Sequence, residues 1–386
     1  MALVAGAVAV PTAAAQPLAP PPQLATDEVP EGWPAAPAVS ASSYLLVEGS
    51  TGQVLAARDP DRRRPVASTV KILSALTVLA RADPGDEVTV PAEAAAVGGA
   101  TVDLDTGEVW TVGQLLDAVL VRSGNDAAVA LALEIGGSLE GFVDLMRADA
   151  AALGVEGIEL TSPSGLDDAN RLSARDLGVL TRAALADTRF REIVGRSAVD
   201  LPGVGRQPSR NELLGTYPGA TGVKTGFTEA AGYALVASAE RGGREVIAVL
   251  LDSQSADSRF AEAAALLEHA FGTLTALPVR ARTSLRVAGG EVVLQAAPVP
   301  LVVPADAAVV HPVLALPVEV PPAGEVREAP VLWDDQELAR LSVVVGEATR
   351  PDVDGGAALG RAVVDRVYAA MRAATTTGSW SLTTAS

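Results

Sequence analysis

Two residues stand out for the chemistry that they can perform. Lys71 and Lys224 are the only lysines among 29 basic residues, and the other 27 are arginines. A guanidinium stays protonated at physiological pH, whereas a buried or charge-crowded ammonium can lose its proton and act as a base. Because this chain uses arginine for nearly every positive charge, the two lysines indicate a task that arginine cannot perform, and proton transfer is such a task.

The first lysine belongs to a Ser-x-x-Lys motif, Ser68 to Lys71, at the start of a predicted helix. Residues three apart share a helix face, so the hydroxyl and the amine point into one site. Free N–H groups and the helix dipole at a helix N-terminus favour the negative charge that develops during acyl transfer. The motif therefore predicts a serine nucleophile beside a lysine base. Taken alone, so short a motif is more often a helix cap with a solvated lysine.

Two further motifs add polar groups. Ser123-x-Asn125 follows an apolar helical stretch and offers a second hydroxyl and a side-chain amide. Lys224-Thr225-Gly226 ends a predicted strand, where the ammonium and hydroxyl can receive a carboxylate and the bare glycine lets a substrate backbone lie along the strand. Each motif alone is more often a helix break or a polar strand end. Together, the three motifs are far more specific than any one of them.

The elements that must position these motifs follow from hydrophobic periodicity. Period-2 segments predict a β-hairpin at 44–48 and 53–57 and later strands at 222–225, 232–239 and 245–251. Helical spacing predicts helices from Ser68 and at 112–122, 126–135, 139–152, 174–186 and 257–271. Strands, then helices, then strands, then a helix predict an α+β fold, an α/β sandwich whose first and last strands share one sheet, with a helical subdomain inserted between them.

The N-terminal segment indicates the compartment. Residues 1–15 are nearly all small and apolar and end on Ala13-Ala14-Ala15, the small-x-small pattern of a signal-peptide cleavage site. A basic n-region is missing, since the first basic residue is Arg58, so an upstream start or a plain apolar tail are the alternatives. Residues 16–41 are rich in Pro and Ala and predict an extended linker. We expect an extracytoplasmic protein, secreted or associated with the cell envelope.

The C-terminal third has a different character. After a catalytic domain at 42–276, the segment 277–347 consists of short Val, Pro and Ala stretches broken by turns and predicts a small β-rich domain. The tail, 348–386, contains a short predicted helix, Ala357–Arg372, with an apolar stripe on one side and arginines elsewhere. This pattern predicts weak membrane association through that helix, and a helix docked on its own domain is the alternative.

Composition excludes several classes of function. A net charge of −18 repels a phosphate backbone, so we expect no nucleic-acid partner. The chain has no cysteine, which excludes a thiol nucleophile and a disulfide. His269 and His311 are the only histidines, so neither a Ser-His-Asp triad nor a multi-histidine metal site is expected. No cofactor is expected.

The three motifs together resemble those of the penicillin-recognising serine enzymes. Within that group the chain is most similar to the low-molecular-mass penicillin-binding proteins, the D-alanyl-D-alanine carboxypeptidases. The resemblance runs from about 42 to 271 and rests also on the segments Arg63–Ser68, Ser164–Asp168, Ser173–Asp176 and Thr221–Tyr233. One departure is Ser164, where the family commonly has His before Gly-Leu. The resemblance implies a β-lactamase/transpeptidase-like sheet with an inserted helical subdomain, followed by a small β-rich domain.

The resemblance also implies a mechanism and a substrate class. Ser68 would attack the carbonyl between two D-alanines of a peptidoglycan stem peptide, and Lys71 as a free amine would take its proton. Lys224 would help to keep Lys71 neutral by like-charge repulsion, and Ser123 with Lys224 would pass the proton to the leaving D-alanine. β-Lactams would be covalent inhibitors that form the same acyl-enzyme.

Binding roles are implied in the same way. Asn125 would hold the acyl amide, the backbone N–H groups of Ser68 and Phe227 would form the oxyanion hole, and Thr225 and Arg259 would bind the terminal carboxylate. The resulting catalytic set is Ser68, Lys71 and Ser123, and the substrate-binding set is Asn125, Lys224, Thr225, Gly226, Phe227 and Arg259.

Three alternatives stay open at this point. An endopeptidase or transpeptidase acting on the same wall peptides would use the same motifs. A class A β-lactamase would need a Glu-x-x-x-Asn loop, and no glutamate between Asn125 and Lys224 has an asparagine four residues later. A non-catalytic wall-binding protein is the alternative from another class, and it is disfavoured because the catalytic positions are intact.

Overall fold

The computed structural model describes residues 24, 29, 32–279, 282–287, 290–296, 299–305, 313–314, 326–333 and 336–345. The predicted signal segment at 1–15 and the predicted helix Ala357–Arg372 lie outside these residues. The signal peptide and the membrane association therefore stay predictions.

The described elements come in blocks of strands and helices along the chain. The strands are β1 (Ser43–Glu48), β2 (Val54–Arg58), β3 (Arg64–Pro65), β4 (Glu87–Thr89), β5 (Val109–Thr111), β6 (Arg171–Leu172), β7 (Ala198–Leu201), β8 (Gly205–Pro208), β9 (Ala220–Thr228), β10 (Gly232–Arg241), β11 (Arg244–Ser253), β12 (Leu274–Val279), β13 (Arg282–Val287), β14 (Gly290–Ala296), β15 (Val299–Pro304), β16 (Val313–Leu314), β17 (Val326–Trp333) and β18 (Gln336–Val345). The α-helices are α1 (Lys71–Leu79), α2 (Ala92–Ala95), α3 (Val112–Asp117), α4 (Asn125–Gly136), α5 (Leu139–Ala152), α6 (Ala174–Ala186), α7 (Thr188–Val194), α8 (Leu213–Thr216) and α9 (Ala256–Thr273).

A five-stranded antiparallel sheet organises the first part of the chain, with strand order β2-β1-β11-β10-β9. Ser43 lies opposite Leu251 and Glu48 opposite Val246, so β1 pairs with β11 along its whole length. This pairing confirms the prediction that the first and last strands share one sheet, with helices inserted between them, and it confirms the α+β class. Strand β9, which carries the Lys-Thr-Gly motif, lies at one edge of the sheet.

The core has two layers, one on each face of this sheet. Successive residues of a strand point to opposite faces. Leu45 and Val47 accordingly belong to the cluster formed with the inserted helices, whereas Leu46 belongs to the cluster formed with Phe260 and Leu266 of α9. All of these side chains are buried, so the sheet is covered by helices on both faces. Such packing gives β9 and α1 a fixed frame.

The start of the first helix differs from the prediction. Residues Ala67–Val70 form a 3₁₀ turn, and the α-helix begins only at Lys71. The cause is local: the carbonyl oxygen of Val66 accepts hydrogen bonds from both the amide and the hydroxyl of Thr69, at 3.2 and 2.7 Å. These i to i+3 bonds tighten the first turn. Ser68 therefore lies on a tight turn that leads into α1.

The predicted helix at 112–122 is also interrupted. After α3, residues Ala118–Arg122 form a π turn that ends at Ser123 in the left-handed conformation, with φ of +68°. Short π segments are frequent at functional sites. The hydrophobic pattern does not predict the short elements, which have few periodic residues, namely β3, β4, β5, β6, β7, β8, α2, α7 and α8.

The described residues divide into two compact units. The first unit runs to Leu277 and is completed by a segment that begins at Pro300, whereas the second contains the antiparallel sheet β13-β14-β18-β17-β16. Within the first unit, the buried amide of Gln53 donates to the carbonyl oxygen of Val302 at 2.8 Å and accepts from its amide at 3.0 Å. Among the described helices, none has both the length and the apolar character that crossing a bilayer requires.

Candidate active site

The three motifs meet at a pocket of about 460 Å³ in the first unit. Its lining includes these residues named by the sequence analysis: Ser68, Ser123, Asn125, Thr225, Gly226, Phe227 and Arg259. Lys71 and Lys224 are 0% and 1% exposed and are not part of the lining. A partly buried hydrogen bond connects Lys71 to Ser68, and buried hydrogen bonds connect Lys71 to Asn125 and Lys224 to the backbone of Thr225.

The nucleophile candidate follows a strained residue. Ala67 has φ of +47°, a left-handed conformation that costs a residue with a side chain roughly 1–2 kcal/mol. Non-glycine residues held in this region cluster at functional sites, where the surrounding structure imposes the conformation. The turn leaves the hydroxyl of Ser68 at the pocket, within 2.9 Å of the amine of Lys71.

Three oxygens of the described residues lie within hydrogen-bonding distance of the amine of Lys71. Its Nζ lies 2.6 Å from Asn125 Oδ1, 2.7 Å from the carbonyl oxygen of Ser164 and 2.9 Å from Ser68 Oγ. A neutral amine has two N–H donors and one lone pair. The carbonyl and amide oxygens can only accept, so they use the two donors and leave the lone pair for the hydroxyl of Ser68. The arrangement therefore suits a lysine that removes the serine proton.

Burial makes that neutral form accessible. Desolvation and, to a lesser extent, the positive charge of Arg210 together lower the pKa of Lys71 to about 7, although the carboxylate of Asp126 opposes the shift. Burial and Arg210 thus add to the like-charge repulsion between Lys71 and Lys224 that the sequence predicts, and this repulsion also lowers the pKa of Lys224. Near neutral pH, a substantial fraction of Lys71 is therefore a free amine.

Ser123 and Lys224 border the same site from different elements. Ser123 ends the π turn, and Lys224 on β9 donates from Nζ to the carbonyl oxygen of Thr225 at 2.9 Å. Burial lowers the pKa of Lys224 well below its ordinary value, and the charges of Lys71, Arg210 and Arg259 add to this effect. Within the described residues, no hydrogen bond joins Ser123 to Lys224.

The end of β9 lies close to the 3₁₀ turn Ala67–Val70, which contains Ser68. A Cβ built on Gly226 would lie 3.1 Å from the carbonyl oxygen of Val66 and 3.2 Å from the amide nitrogen of Ser68. Glycine therefore allows the strand to lie directly against the turn. The amide of Ser68 and that of Phe227, the next residue on β9, are thus on segments that contact each other, as a two-amide oxyanion hole requires.

Arg259 is held beside the same strand end. Its Nη1 donates to the carbonyl oxygen of Gly226 at 3.1 Å, and its guanidinium lies over the rings of Tyr233 and Phe260, with 5.5 and 4.7 Å to the ring centroids. Its buried Nε has no hydrogen-bond partner among the described residues. The ring of Tyr233 is in turn 4.4 Å from that of Phe227. Arg259 can therefore present charge to the pocket from a fixed position.

A loop around Gly165 supports both Ser68 and Lys71. Besides the carbonyl oxygen of Ser164 that accepts from Lys71, the carbonyl oxygen of Pro163 accepts from Ser74 Oγ on α1 at 2.6 Å. Gly165 has φ of +71°, and a Cβ there would overlap the carbonyl oxygen of Ala67. Only glycine combines this conformation with such close contact.

We expect the Gly165→Ala variant to lose stability and acylation rate together. The left-handed conformation alone costs roughly 1–2 kcal/mol, and the overlap with the turn Ala67–Val70 adds about 1–3 kcal/mol. Gly137→Ala is the matched control, because Gly137 has φ of +67° and no atom within 4 Å of the built Cβ. Urea unfolding and the rate of penicillin acylation measure both effects. Equal losses in the two variants would contradict the contact with Ala67.

Several pocket residues were not predicted from the sequence. They are Gly99, Ala100, Gly165, Leu166, Ser209, Arg210, Glu212 and Thr228. Arg210 is one of 27 arginines and so lacked the scarcity that identified the lysines. Ser164 acts through its backbone carbonyl, which every residue has. A signal was present only for Gly165, Leu166 and Thr228, which lie in the segments Ser164–Asp168 and Thr221–Tyr233 that carry the family resemblance.

The comparisons with known proteins agree on one family. A family model described as D-alanyl-D-alanine carboxypeptidase matches residues 31–255. The chain is 37% identical over 231 residues to D-alanyl-D-alanine carboxypeptidase DacB2 of Mycobacterium tuberculosis, a match that covers 58% of this chain and 79% of that protein. It is 33% identical over 252 residues to D-alanyl-D-alanine carboxypeptidase DacF of Bacillus subtilis, covering 63% of this chain and 65% of that protein.

A solved structure extends the similarity to more of the chain. The fold matches penicillin binding protein 5 from Haemophilus influenzae with a TM-score of 0.72 and 27% sequence identity, covering 81% of this chain and 98% of that chain. This coverage exceeds that of the two sequence relatives, so the likeness in fold extends over more of the chain than the likeness in sequence.

Proposed function

The chain belongs to the D-alanyl-D-alanine carboxypeptidase family, a family of serine peptidases, and we propose that its residues Ser68 and Lys71 carry out that reaction. The observation that supports this assignment most directly is the set of three oxygens around Lys71 Nζ, in which Ser68 Oγ is the one that can give up a proton. The substrates are peptidoglycan peptides that end in D-Ala-D-Ala, and penicillin acts as a covalent inhibitor.

The first chemical step forms an acyl-enzyme. Lys71 Nζ takes the proton of Ser68, and Ser68 Oγ attacks the carbonyl carbon of the penultimate D-alanine. The negative oxygen of the tetrahedral intermediate accepts hydrogen bonds from the amides of Ser68 and Phe227. When the C–N bond breaks, the terminal D-alanine leaves with a proton returned from Lys71 through Ser123 or Lys224. Water then hydrolyses the ester, and Ser68 regains its proton.

Asn125 has a dual role in this proposal. Its Oδ1 accepts from Lys71, and its Nδ2 donates to the carbonyl oxygen of Gly98 at 3.0 Å. These two bonds fix the amide plane, so Asn125 holds Lys71 in place as well as bordering the pocket where the acyl amide would lie. The role in binding the acyl amide stays a prediction.

The family works on the cell wall, which implies an extracytoplasmic or envelope location. We propose that residues 1–15 direct export and that the linker at 16–41 precedes the catalytic domain. The small-x-small motif at the end of residues 1–15 supports the export role, and the Pro- and Ala-rich composition of residues 16–41 supports the linker role. Membrane association through Ala357–Arg372 stays a prediction, and vesicle binding by chains with and without that segment would test it.

Release of D-alanine tests the function directly. Incubation of the protein with a pentapeptide ending in D-Ala-D-Ala should yield free D-alanine and a tetrapeptide, which mass spectrometry can quantify. Cross-linked dimers or cleavage of preformed dimers would instead indicate a transpeptidase or an endopeptidase. Release of D-alanine by the Ser68→Ala variant at the wild-type rate would contradict the assignment.

We expect Arg259→Ala to impair hydrolysis of the free-acid peptide far more than hydrolysis of its C-terminally amidated analogue. Thr225 and Arg259 both line the pocket and can bind a carboxylate through charge-assisted hydrogen bonds worth roughly 1.5–3 kcal/mol each. Loss of one should lower kcat/KM about ten- to a hundredfold. Thr225→Val is the companion variant, because it removes a hydroxyl and leaves the bond between Arg259 and Gly226. If hydrolysis of the free acid and of the amide fell equally, Arg259 would instead stabilise the end of β9 through its bond to Gly226.

A further inference from the structure

The loop at 208–211 is fastened to the turn that ends in Ser123. Arg122 Nη1 donates to the carbonyl oxygen of Pro208 at 2.7 Å, and in return Arg210 Nε donates to the carbonyl oxygen of Arg122 at 2.6 Å. The amide of Arg210 also donates to the carbonyl oxygen of Val121 at 3.1 Å. We call these three bonds the Arg122–Arg210 clasp. The clasp joins two segments that are far apart in sequence, and one of them, Val121 and Arg122, directly precedes Ser123.

The clasp places the guanidinium of Arg210 at the pocket. Arg210 lines the same cavity as Ser68 and Ser123. Within the described residues it forms no ion pair: the carboxylate of Glu212 lines the same cavity but acts on Arg259, and the charge that acts on Arg210 itself is the cation of Arg122. The bond from Nε holds the guanidinium itself, and the bond from the backbone amide holds the main chain at residue 210, whereas the side chain of an unbonded arginine would extend into solvent.

The charged groups around the two buried lysines show what this position does. Asp126 on α4 favours the ammonium form of Lys71, and the amides of Val102, Leu104 and Ala127 hold its carboxylate in place. Arg210 has the opposite effect to Asp126, since its positive charge lowers the pKa of Lys71. Arg210 lowers the pKa of both lysines, whereas Arg259 lowers only that of Lys224. The lysines repel each other in addition, as the lowered pKa of Lys224 shows.

We propose that Arg210 is a positioning residue for the acylation step: the clasp holds its guanidinium at the pocket, so that a fixed positive charge acts on Lys71 against the carboxylate of Asp126. The inference rests on the proposed function, because it gives Arg210 a role through Lys71 as the base. Without the charge, the attraction of Asp126 would prevail, Lys71 would keep its proton to higher pH, and less free amine would be present at neutral pH.

The test is the pH dependence of penicillin acylation. In the wild type, acylation should rise with pH through a midpoint near the Lys71 pKa of about 7. In Arg210→Gln the midpoint should move up by about one pH unit, so that the rate falls about tenfold at pH 6 and recovers at high pH. Arg210→Lys keeps a positive charge, and its Nζ can donate to the carbonyl oxygen of Arg122 in place of Nε. This variant should therefore have a midpoint nearer to that of the wild type than to that of Arg210→Gln.

Arg206→Gln is the control, because it removes an exposed arginine that pairs with Asp200 at 3.2 Å and does not line the pocket. Its midpoint should equal that of the wild type. A uniform loss of rate in Arg210→Gln at every pH, with an unchanged midpoint, would overturn the inference. A wild-type profile without an acid limb would overturn it together with the role of Lys71 as base, whereas D-alanine release would still support the carboxypeptidase activity.

Discussion

A penicillin is expected to add the mass of one drug molecule to the wild-type protein and to leave the Ser68→Ala variant unmodified. The strained β-lactam amide takes the place of the D-Ala-D-Ala bond, and its carbonyl carbon forms an ester with the attacking oxygen. Removing Ser68 Oγ removes the only atom that the proposal assigns to that bond, so the loss of covalent product should be complete. Intact-mass spectrometry after incubation with excess drug measures it.

Ser123→Ala is the matched control for this experiment. It removes a hydroxyl from the same pocket but leaves the pair of Ser68 and Lys71 at 2.9 Å. That variant should still gain one drug mass, more slowly than the wild type. If Ser68→Ala gained the same covalent mass as the wild type, another residue would be the nucleophile. Thermal unfolding of both variants shows whether each is folded.

The second large effect is expected for Lys71→Arg. Arginine keeps a positive charge but does not deprotonate, so acylation should fall by the contribution of a general base, roughly 10²–10⁴-fold. The side chain is completely buried among three oxygens, and a guanidinium cannot offer a lone pair to Ser68. Stopped-flow or quenched-mass measurement of the acylation rate constant checks the prediction.

The pH profile separates this role from a fixed charge. Because Lys71 must be neutral, wild-type acylation should decrease as pH falls below its pKa of about 7. The Lys71→Arg variant should lack this limb, since its side chain does not titrate in that range. Near-normal acylation by Lys71→Arg would show that position 71 supplies only a positive charge.

Much of the scaffold followed from local pattern. The hairpin of β1 and β2, helix α5 and helix α6 lie where periodicity predicted them, because their apolar residues repeat at the spacing of the element that buries them. The pairing of β1 with β11 followed from the order of elements. Short elements such as α7 have too few periodic residues to be recognised, and tertiary contacts define them instead.

The site divides in the same way. Lys71 and Lys224 could be identified because lysine is rare in this chain, and Ser68 because it lies three residues before one of them. The positive φ of Ala67 and the role of the carbonyl oxygen of Ser164 could not be predicted from the sequence, since neither depends on a distinctive side chain. The role of Arg210 in lowering the pKa of Lys71 depends on a contact between distant segments, and spacing along the chain does not encode it.

The paired hydrogen bonds between Gln53 and Val302 make the first unit discontinuous in sequence. Leu301, Val302 and Val303 are buried, and the amide of Gln53 meets the backbone of Val302 as a neighbouring strand would. A truncation that ends the chain at Leu277 would leave that amide without its partner, at a cost of about 1–3 kcal/mol for each unsatisfied buried group. A catalytic fragment that includes residues 301–303 is therefore expected to be more stable than one that ends at Leu277, and a separate peptide with these residues should restore part of the difference.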